Sequence, residues 1–285
     1  MNEPVRHART DADFALCAAI KNVVQPGEPV TAAELHDDIG ATLFLSGDSG
    51  YAVVKESSLV DCAFVGVRVL PIARRQGVGS TLLAAASDEA RALGLGALYG
   101  RVDGEDVESL GFVGRRGFVE IGREVEQIRE LGDEHPPEPP PGIELVDLAP
   151  EHLAGVYAVA VDATPDMALD AEIEAAPYER WLAELSGRTI HVALEGGRVV
   201  GYATLVPLGA RPDVLEHELT GVLRSHRRRG IATALKRQQL AWAAGARYRQ
   251  LVTYTQEGNE AMRSLNLALG YRERLASIAV KGPLQ

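Results

Sequence analysis

The sequence predicts two tandem domains of the α/β (α+β) class, each a mostly antiparallel mixed sheet flanked by helices. Three observations lead to this prediction: a proline-rich run divides the chain, the same strand–turn–helix pattern occurs on both sides of it, and a second matching block follows at the same spacing. With 285 residues, the chain is long enough for two domains of about 150 residues, each with its own core.

The predicted boundary is residues 134–142, EHPPEPPPG, which contain five prolines. Proline lacks a backbone N–H donor and fixes φ, so such a run interrupts helices and sheets and favours an extended linker. We therefore predict an N-terminal domain over residues 1–133 and a C-terminal domain over residues 143–285.

Two blocks of sequence recur 153 residues apart. VRVLPIARRQGVGSTLL at 67–83 corresponds to TGVLRSHRRRGIATALK at 220–236, and Gly117-Phe118 corresponds to Gly270-Tyr271. Two blocks in one register indicate an internal duplication.

Apolar periodicity predicts the same order of elements in both repeats: a hairpin, a strand, a Gly/Arg-rich turn, a helix, a short strand, a second helix and a final strand. The helices after the turns begin near Ser80 and Thr233. In the first repeat the hairpin covers 42–46 and 51–55, and the later strands and second helix cover 62–70, 97–102, 105–116 and 118–131. In the second repeat the corresponding segments are 189–194 with 198–206, then 215–223, 250–255, 259–269 and 271–281.

Composition excludes several classes of protein. The net charge of −11 argues against general nucleic-acid binding, and no apolar run reaches the roughly 18 residues of a membrane helix. The N-terminus lacks the pattern of a secretory signal, and Cys17 and Cys62 fall in no metal-binding spacing. We expect a cytoplasmic monomer or homodimer that binds no metal, no nucleic acid and no membrane.

A strand followed by Arg-x-x-Gly-x-Gly/Ala and a helix is suited to binding phosphate. Glycines let the backbone approach a ligand closely, and the first N–H groups of a helix have no intrahelical partner and carry partial positive charge. Arg74-Arg75 and Arg227-Arg228-Arg229 add donors for phosphate oxygens. Neither copy fits a P-loop or a Rossmann fingerprint.

This pattern resembles the pyrophosphate loop of the GCN5-related N-acetyltransferase (GNAT) family of acyl-CoA N-acyltransferases. The second repeat adds Asn259-x-x-Met262-x-x-x-Asn266-x-x-x-Gly270-Tyr271, which is similar to the segment that closes that fold. The resemblance covers nearly the whole chain as two tandem domains, as in the mycothiol synthases. It implies acetyl-CoA (coenzyme A) as donor and direct attack on its thioester, in a ternary complex, by a primary amine that we expect to belong to a small molecule.

The resemblance also implies two sets of cofactor-binding residues, one in each repeat. In the second repeat these are Val222, Leu223, Arg227, Arg228, Arg229, Gly230, Ile231, Ala232, Thr233 and Asn259. In the first repeat they are Val69, Leu70, Arg74, Arg75, Gln76, Gly77, Val78, Gly79 and Ser80. The Leu223 amide is expected to polarise the thioester carbonyl, and Asn259 to hold the pantetheine arm or an ordered water.

Catalysis is predicted in the second repeat, because attack by an ammonium group requires a base. Glu216 and Glu218 share one face of a predicted strand, whereas their counterparts in the first repeat are Ala63 and Val65. The N-terminal repeat is then a degenerate scaffold, which we favour, a regulatory acetyl-CoA site, or a wall of the acceptor pocket.

One catalytic position departs from the family pattern. Asn266 stands where many members have a tyrosine general acid; asparagine can hydrogen-bond but cannot protonate a thiolate. Solvent, Tyr254 or Tyr271 would then supply the proton.

Some alternatives stay open at this point. The acidic stretch 160–182, with Asp162, Asp166 and Asp170, either lines a site for a cationic amine or forms a solvated helix face. The alternative functions are a non-catalytic acetyl-CoA sensor and a protein N-terminal or lysine acetyltransferase.

Overall fold

The protein is described from a computed structural model that covers residues 4–166 and 170–285. Residues 167–169, which belong to the predicted acceptor-lining stretch 160–182, lie outside the described residues. The chain divides into two compact units: unit 1 is Met1–Ile121 with Ser277–Gln285, and unit 2 is Gly122–Ala276. Within the described residues, none of the helices has the length and apolar character needed to cross a lipid bilayer.

Unit 1 contains one sheet with helices packed against it. Its elements are β1 (Val5–His7), α1 (Asp11–Val24), α2 (Ala32–His36), β2 (Thr42–Ser46), β3 (Gly50–Glu56), β4 (Cys62–Val69), α3 (Val78–Ala92), β5 (Ala97–Asp103), α4 (Val107–Gly114), the start of β6 (Val119–Glu130) and the end of β12 (Arg272–Pro283). The strand order is β1-β2-β3-β4-β5-β12. β4 pairs with β5 in parallel, and the other neighbours pair antiparallel.

Unit 2 repeats this plan. Beside the rest of β6 and the start of β12, its elements are β7 (Ile143–Asp147), α5 (Leu153–Ala163), α6 (Tyr178–Glu184), β8 (Thr189–Glu195), β9 (Arg198–Leu208), β10 (Arg211–Val222), α7 (Ile231–Gly245), β11 (Gln250–Gln256) and α8 (Glu260–Ala268). The strand order is β6-β11-β10-β9-β8-β7. β10 and β11 are the parallel pair. The predicted fold class and the predicted order of strands and helices are confirmed.

The last strands of the two repeats are exchanged. β6, which ends the first repeat, pairs with β11 of unit 2, with Glu130 opposite Gln250. β12, which ends the second repeat, pairs with β5 of unit 1, with Pro283 opposite Ala97. These two registers are related by the same offset of 153 residues. Each unit therefore depends on one strand that the other repeat supplies.

The helix after each glycine turn is fixed by a buried stripe. In α3, Leu82, Ala86 and Ala90 are fully buried at a spacing of four residues and pack against the sheet of unit 1. Burial of a leucine side chain contributes about 2 kcal/mol, so this stripe holds the N-terminal end of α3 against the end of β4. In α7 the stripe includes Leu235 but also the buried polar residues Lys236 and Gln239.

Candidate functional site

The two Gly/Arg-rich turns have the same backbone conformation. Arg75 and Arg228 have φ of 62° and 63°, and Gly77 and Gly230 have φ of 89° and 79°. A left-handed φ is costly for a residue with a Cβ, which explains glycine at the second position and indicates that the surrounding structure holds the arginine. The same turn conformation is therefore present in both units.

The arginine that precedes each turn is anchored to the strand before it. Arg74 Nε donates to Val69 O at 3.4 Å, and Arg227 Nε donates to Val222 O at 3.0 Å. The glycine is the N-cap of the following helix, and it provides no side-chain cap. The first N–H groups of α3 and α7 thus face the turn without a capping side chain, an arrangement that attracts anions.

In unit 1 the loop opens onto a cavity of about 510 Å³. Its walls are the end of β4, the loop with the first turns of α3, β5 and one face of α4. At Gly100 on β5 an added Cβ would lie 2.8 Å from Val65 O, so only glycine permits this approach. The lining includes the predicted residues Val69, Arg74, Arg75, Gly77, Gly79 and Ser80.

Three predicted residues of the first repeat make contacts within the protein, and the coenzyme contacts predicted for the backbone amides of Gln76 and Val78 stay predictions. Val78 is buried in the core of unit 1. Gln76 Nε2 donates to Ile72 O at 2.9 Å, which braces the turn. Leu70 donates its N–H to Ser49 O at 2.9 Å.

Residues of α4 and the turn after it were missed by the sequence analysis. Phe112, Arg115 and Arg116 also line the cavity. Arg116 Nη2 donates to Ser80 Oγ at 2.6 Å, and its guanidinium lies 3.7 Å from the centroid of the Phe112 ring. The Arg115-Arg116 pair at the end of the predicted helix could have indicated these residues from sequence. The second repeat has Ala268 and Leu269 at the corresponding positions, so the two positive charges are specific to the first repeat.

In unit 2 arginines of the loop form ion pairs with acidic side chains. Arg227 Nη2 lies 2.6 Å from Asp166 and 3.7 Å from Asp162, and Arg229 Nη2 lies 2.6 Å from Glu195. Arg229 holds the pKa of Glu195 below its usual value. A phosphate that enters this loop must therefore compete with carboxylates.

The remaining predicted residues of this loop are divided between core and surface. Val222 and Ile231 are buried, and Ala232 and Thr233 are half-buried in the first turn of α7. Arg228 is exposed. An added Cβ at Gly230 would lie 3.7 Å from Pro140, so the proline-rich segment borders the loop.

The predicted base candidates lie on β10 next to a β-bulge. The pairing of β10 with β9 shifts between His217 and Thr220, so that Glu218 and Leu219 face the single residue Thr204. Bulges often occur beside active sites, where they redirect side chains and break the ladder. Glu216 is half-buried, and Glu218 forms an ion pair with Arg188.

The environment of Glu218 favours its protonated form. Burial raises the pKa of this carboxyl above its usual value, with Arg188 opposing the rise and Glu184 adding to it. A carboxylate with a raised pKa is a stronger base at neutral pH than one exposed to water. In β4 of unit 1 the matching pairing with β3 runs without a shift.

The role predicted for the Leu223 amide needs correction. Its N–H donates to Val200 O at 2.9 Å, so it is already used and cannot polarise a thioester in this conformation. The sequence could not show this, because the partner lies on another strand.

The predicted role of Asn266 also needs correction. Its side chain is fully buried and donates to Gln127 Oε1 at 2.8 Å, so it is enclosed in the interior and not presented to a cleft. Gln127 comes from the exchanged strand β6. Asn259 is the N-cap of α8, where its Oδ1 accepts from Met262 N at 3.2 Å.

The residues that match the cavity lining of unit 1 form a buried polar cluster in unit 2. Lys236, Asn266 and Tyr271 stand where unit 1 has Leu83, Val113 and Phe118, at the offset of 153 residues. Tyr271 OH is 2.9 Å from His217 Nδ1. Burial lowers the pKa of Lys236 to about 7 and raises that of Tyr271. Unit 2 thus places polar groups where unit 1 has an apolar wall.

Comparisons with known proteins agree with this geometry. The chain matches the acetyltransferase (GNAT) family over residues 25–118 and 153–271. No curated protein sequence is similar enough to be matched to it.

Solved structures share the fold over almost the whole chain. A GCN5-related N-acetyltransferase from Sphaerobacter thermophilus is 19% identical with a TM-score of 0.78, covering 99% of this chain and 95% of that one. A tandem GNAT protein from the clavulanic acid biosynthesis pathway is 20% identical with a TM-score of 0.75, covering 99% and 98%. With two Gly/Arg-rich turns of the same conformation, two matched segments and this fold, the chain belongs to the GNAT acetyltransferase family as a tandem member.

Proposed function

We propose that the protein transfers the acetyl group of acetyl-CoA to a primary amine of a small molecule, by direct attack of the amine in a ternary complex. The observation that carries this proposal is the loop itself: the same backbone, including an arginine and a glycine with positive φ, precedes an uncapped helix in both units. Such a loop suits a diphosphate.

The lining of the cavity in unit 1 supports this proposal. A Cβ at Gly77 would strain a backbone with φ of 89°, and Arg74, Arg75 and Ser80 stand at the same end of the cavity. They would hold phosphate oxygens, while Val67 and Val69 at the end of β4 would border the pantetheine arm. Acetyl-CoA, when bound, supplies an acetyl group activated as a thioester.

We place the chemistry in residues 143–285. Glu216 and Glu218 are the glutamates on the strand that enters the second loop, and either can accept the proton that the acceptor ammonium must lose. Backbone N–H groups at the bulge of Glu218 and Leu219 replace the Leu223 amide as candidates for stabilising the oxyanion. Because Tyr271 and Asn266 are buried whereas Tyr254 is half-buried, we assign protonation of the thiolate to solvent or to Tyr254.

The test is release of free thiol from acetyl-CoA with a panel of amines, for the wild type, Glu216→Gln and Glu218→Gln. We expect one variant to lose the acidic limb of the pH–rate profile. If Glu218 is the base, that limb lies above the usual carboxyl range, because its pKa is raised. If both variants keep the wild-type profile, neither carboxylate is the base.

A non-catalytic acetyl-CoA sensor is the second candidate. It is favoured by the position of the cavity, which lies in the unit whose strand carries no glutamate. Saturable binding of acetyl-CoA without amine-dependent thiol release would support the sensor and contradict the enzyme.

A further inference from the structure

The cavity of unit 1 is lined by cationic groups from two parts of the chain: Arg75 precedes α3, and Arg115 and Arg116 follow α4. The carboxylates Asp103, Asp106 and Glu108 also line it. The two cationic segments are close, because Arg116 reaches Ser80 in the first turn of α3 at 2.6 Å. The start of α3 and the residues after α4 therefore meet beside the loop, with arginines on both segments.

Arg116 is held in place by neutral groups. Besides Ser80, its Nη1 donates to Phe112 O at 3.0 Å, and its guanidinium stacks on the Phe112 ring at 3.7 Å. Among the residues that the structure describes, no carboxylate pairs with Arg116. Burial and the nearby Arg115 lower the pKa of Arg116. A half-buried cation that has no anionic partner gains most binding free energy from a ligand that supplies an anion.

The neighbouring cations are also available. Within residues 4–166 and 170–285, neither Arg75 nor Arg115 has a side-chain hydrogen bond or ion pair. Arg74 donates to Val69 O and lies 3.5 Å from Glu108, and it also interacts electrostatically with Asp106. In unit 2, by contrast, Arg227 and Arg229 have carboxylate partners at 2.6 Å.

We propose that Arg116, assisted by Arg115, is a phosphate-binding residue that reaches the coenzyme from the α4 side of the cavity and makes unit 1 the tighter coenzyme site of the chain. The proposal rests on the proposed acetyl-CoA function. It adds a specificity determinant that unit 2 lacks, because Ala268 and Leu269 occupy the corresponding positions. We call Arg116 and Arg115 together the clamp. It acts on the phosphates of the coenzyme and leaves binding of the pantetheine arm unaffected.

The experiment compares coenzyme A with pantetheine, which lacks the phosphates. Binding to the full chain is measured by titration calorimetry, and hydrogen exchange of residues 75–84 reports on unit 1 while residues 228–237 report on unit 2. The variants are Arg116→Leu and Arg115→Ala, which carry the residue types of unit 2, and Arg116→Lys, which keeps the charge. Arg9→Leu removes an exposed charge away from the cavity.

We expect Arg116→Leu to weaken coenzyme A binding at unit 1 by about tenfold to a hundredfold, the usual effect of losing a charged hydrogen bond. Arg115→Ala should have a smaller effect, Arg116→Lys should restore part of the affinity, and pantetheine binding should not change. Arg9→Leu should match the wild type.

Two other outcomes have distinct meanings. If coenzyme A protects residues 75–84 equally in the wild type, Arg116→Leu and Arg115→Ala, the clamp is wrong while the coenzyme site stands. If coenzyme A does not protect these residues in the wild type, the assignment of the coenzyme to unit 1 fails, and the clamp fails with it. Loss of pantetheine binding in Arg116→Leu would show that the residue only supports the fold.

Discussion

In unit 1 the glycine loop borders a cavity, and its arginines have few acidic partners; in unit 2 the same loop is covered by ion pairs. Arg227 is bound by Asp166 and Arg229 by Glu195, whereas Arg75 has no such partner among the described residues. The carboxylates of β10, however, belong to unit 2. One duplicated backbone has thus acquired two environments, one suited to holding an anion and the other to proton transfer.

The strand exchange gives the largest expected effect. Ile278 belongs to the second repeat but is buried in the core of unit 1, and Val125 of the first repeat is buried in unit 2. An unpaired carboxylate buried at either place should cost about 4 kcal/mol. We expect Ile278→Asp to increase hydrogen exchange of the backbone amides of unit 1 and to abolish coenzyme binding at residues 75–84.

Tryptophan fluorescence gives the control for this comparison. Both tryptophans, Trp181 and Trp242, lie in unit 2, so Val125→Asp should alter their emission and Ile278→Asp should not. The reverse result would mean that each repeat keeps its own last strand.

The two loops can be blocked separately. Gly77→Val and Gly230→Val each put a β-branched residue at a positive φ and a side chain where phosphate would lie, which should weaken binding at that loop about tenfold to a hundredfold. We expect Gly77→Val to remove coenzyme protection of residues 75–84 with most turnover kept, and Gly230→Val to abolish turnover. Gly94→Val, at φ 78° in open space, controls for backbone strain. Equal loss of turnover from both loop variants would contradict the division of roles.

Lys236 should make unit 2 sensitive to pH. Its pKa is about 7 in the folded protein against an ordinary 10.5. As the pH is lowered, this lysine is therefore protonated in the unfolded chain before it is protonated in the folded one. The free energy of unfolding then falls as the pH drops from above 10.5 towards 7. Lys236→Met should remove this loss and raise the free energy of unfolding by about 3 kcal/mol at pH 8, measured by tryptophan fluorescence in denaturant.

Two buried histidines of unit 2, His217 and His191, act at lower pH. Burial and Lys236 lower the pKa of His217, and burial lowers that of His191 although Asp147 opposes it. Both therefore remove stability below their ordinary pKa of 6.5, and this loss should persist in Lys236→Met. Leu83→Met, the matching position of unit 1, should leave the pH dependence unchanged. If Lys236→Met destabilises unit 2 at pH 8, the lysine has an anionic partner.

The ion pairs of unit 2 give the smallest expected effect. Asp166→Asn removes a partner of Arg227 and should raise coenzyme affinity at residues 228–237 about threefold to tenfold, because partly exposed ion pairs are weak. Asp88→Asn, which removes the exposed partner of Arg91, should have no effect on either loop. Weaker binding by Asp166→Asn would show that Asp166 helps to shape the site.

Local patterns made much of the fold predictable. The helix after each turn follows from apolar spacing and the glycine at its start, and the bounds of β5 and β11 were predicted to within one residue. The role of Asn259 was less accessible, since an asparagine before a helix is also a good N-cap. Asn266 and Leu223 required knowledge of Gln127 and Val200, which lie on other strands.

Alternating patterns cannot tell which sheet a final strand joins. β6 and β12 have equal length and the same register relative to their partners, so each would fit either sheet by local criteria. Pairing between strands is set by contacts far apart in the chain, which periodicity does not contain.

The sequence by itself determined the two Gly/Arg-rich turns, because glycine at a positive φ before an uncapped helix is a local property of the chain. Only the tertiary structure decided which loop lies beside arginines that have no carboxylate partner in the described part of the chain and which loop is paired with carboxylates. Asp166 and Glu195 reach the second loop from 61 and 34 residues away, and Arg116 reaches the first helix from 36 residues away. Charges so distant in sequence interact only after the chain has folded.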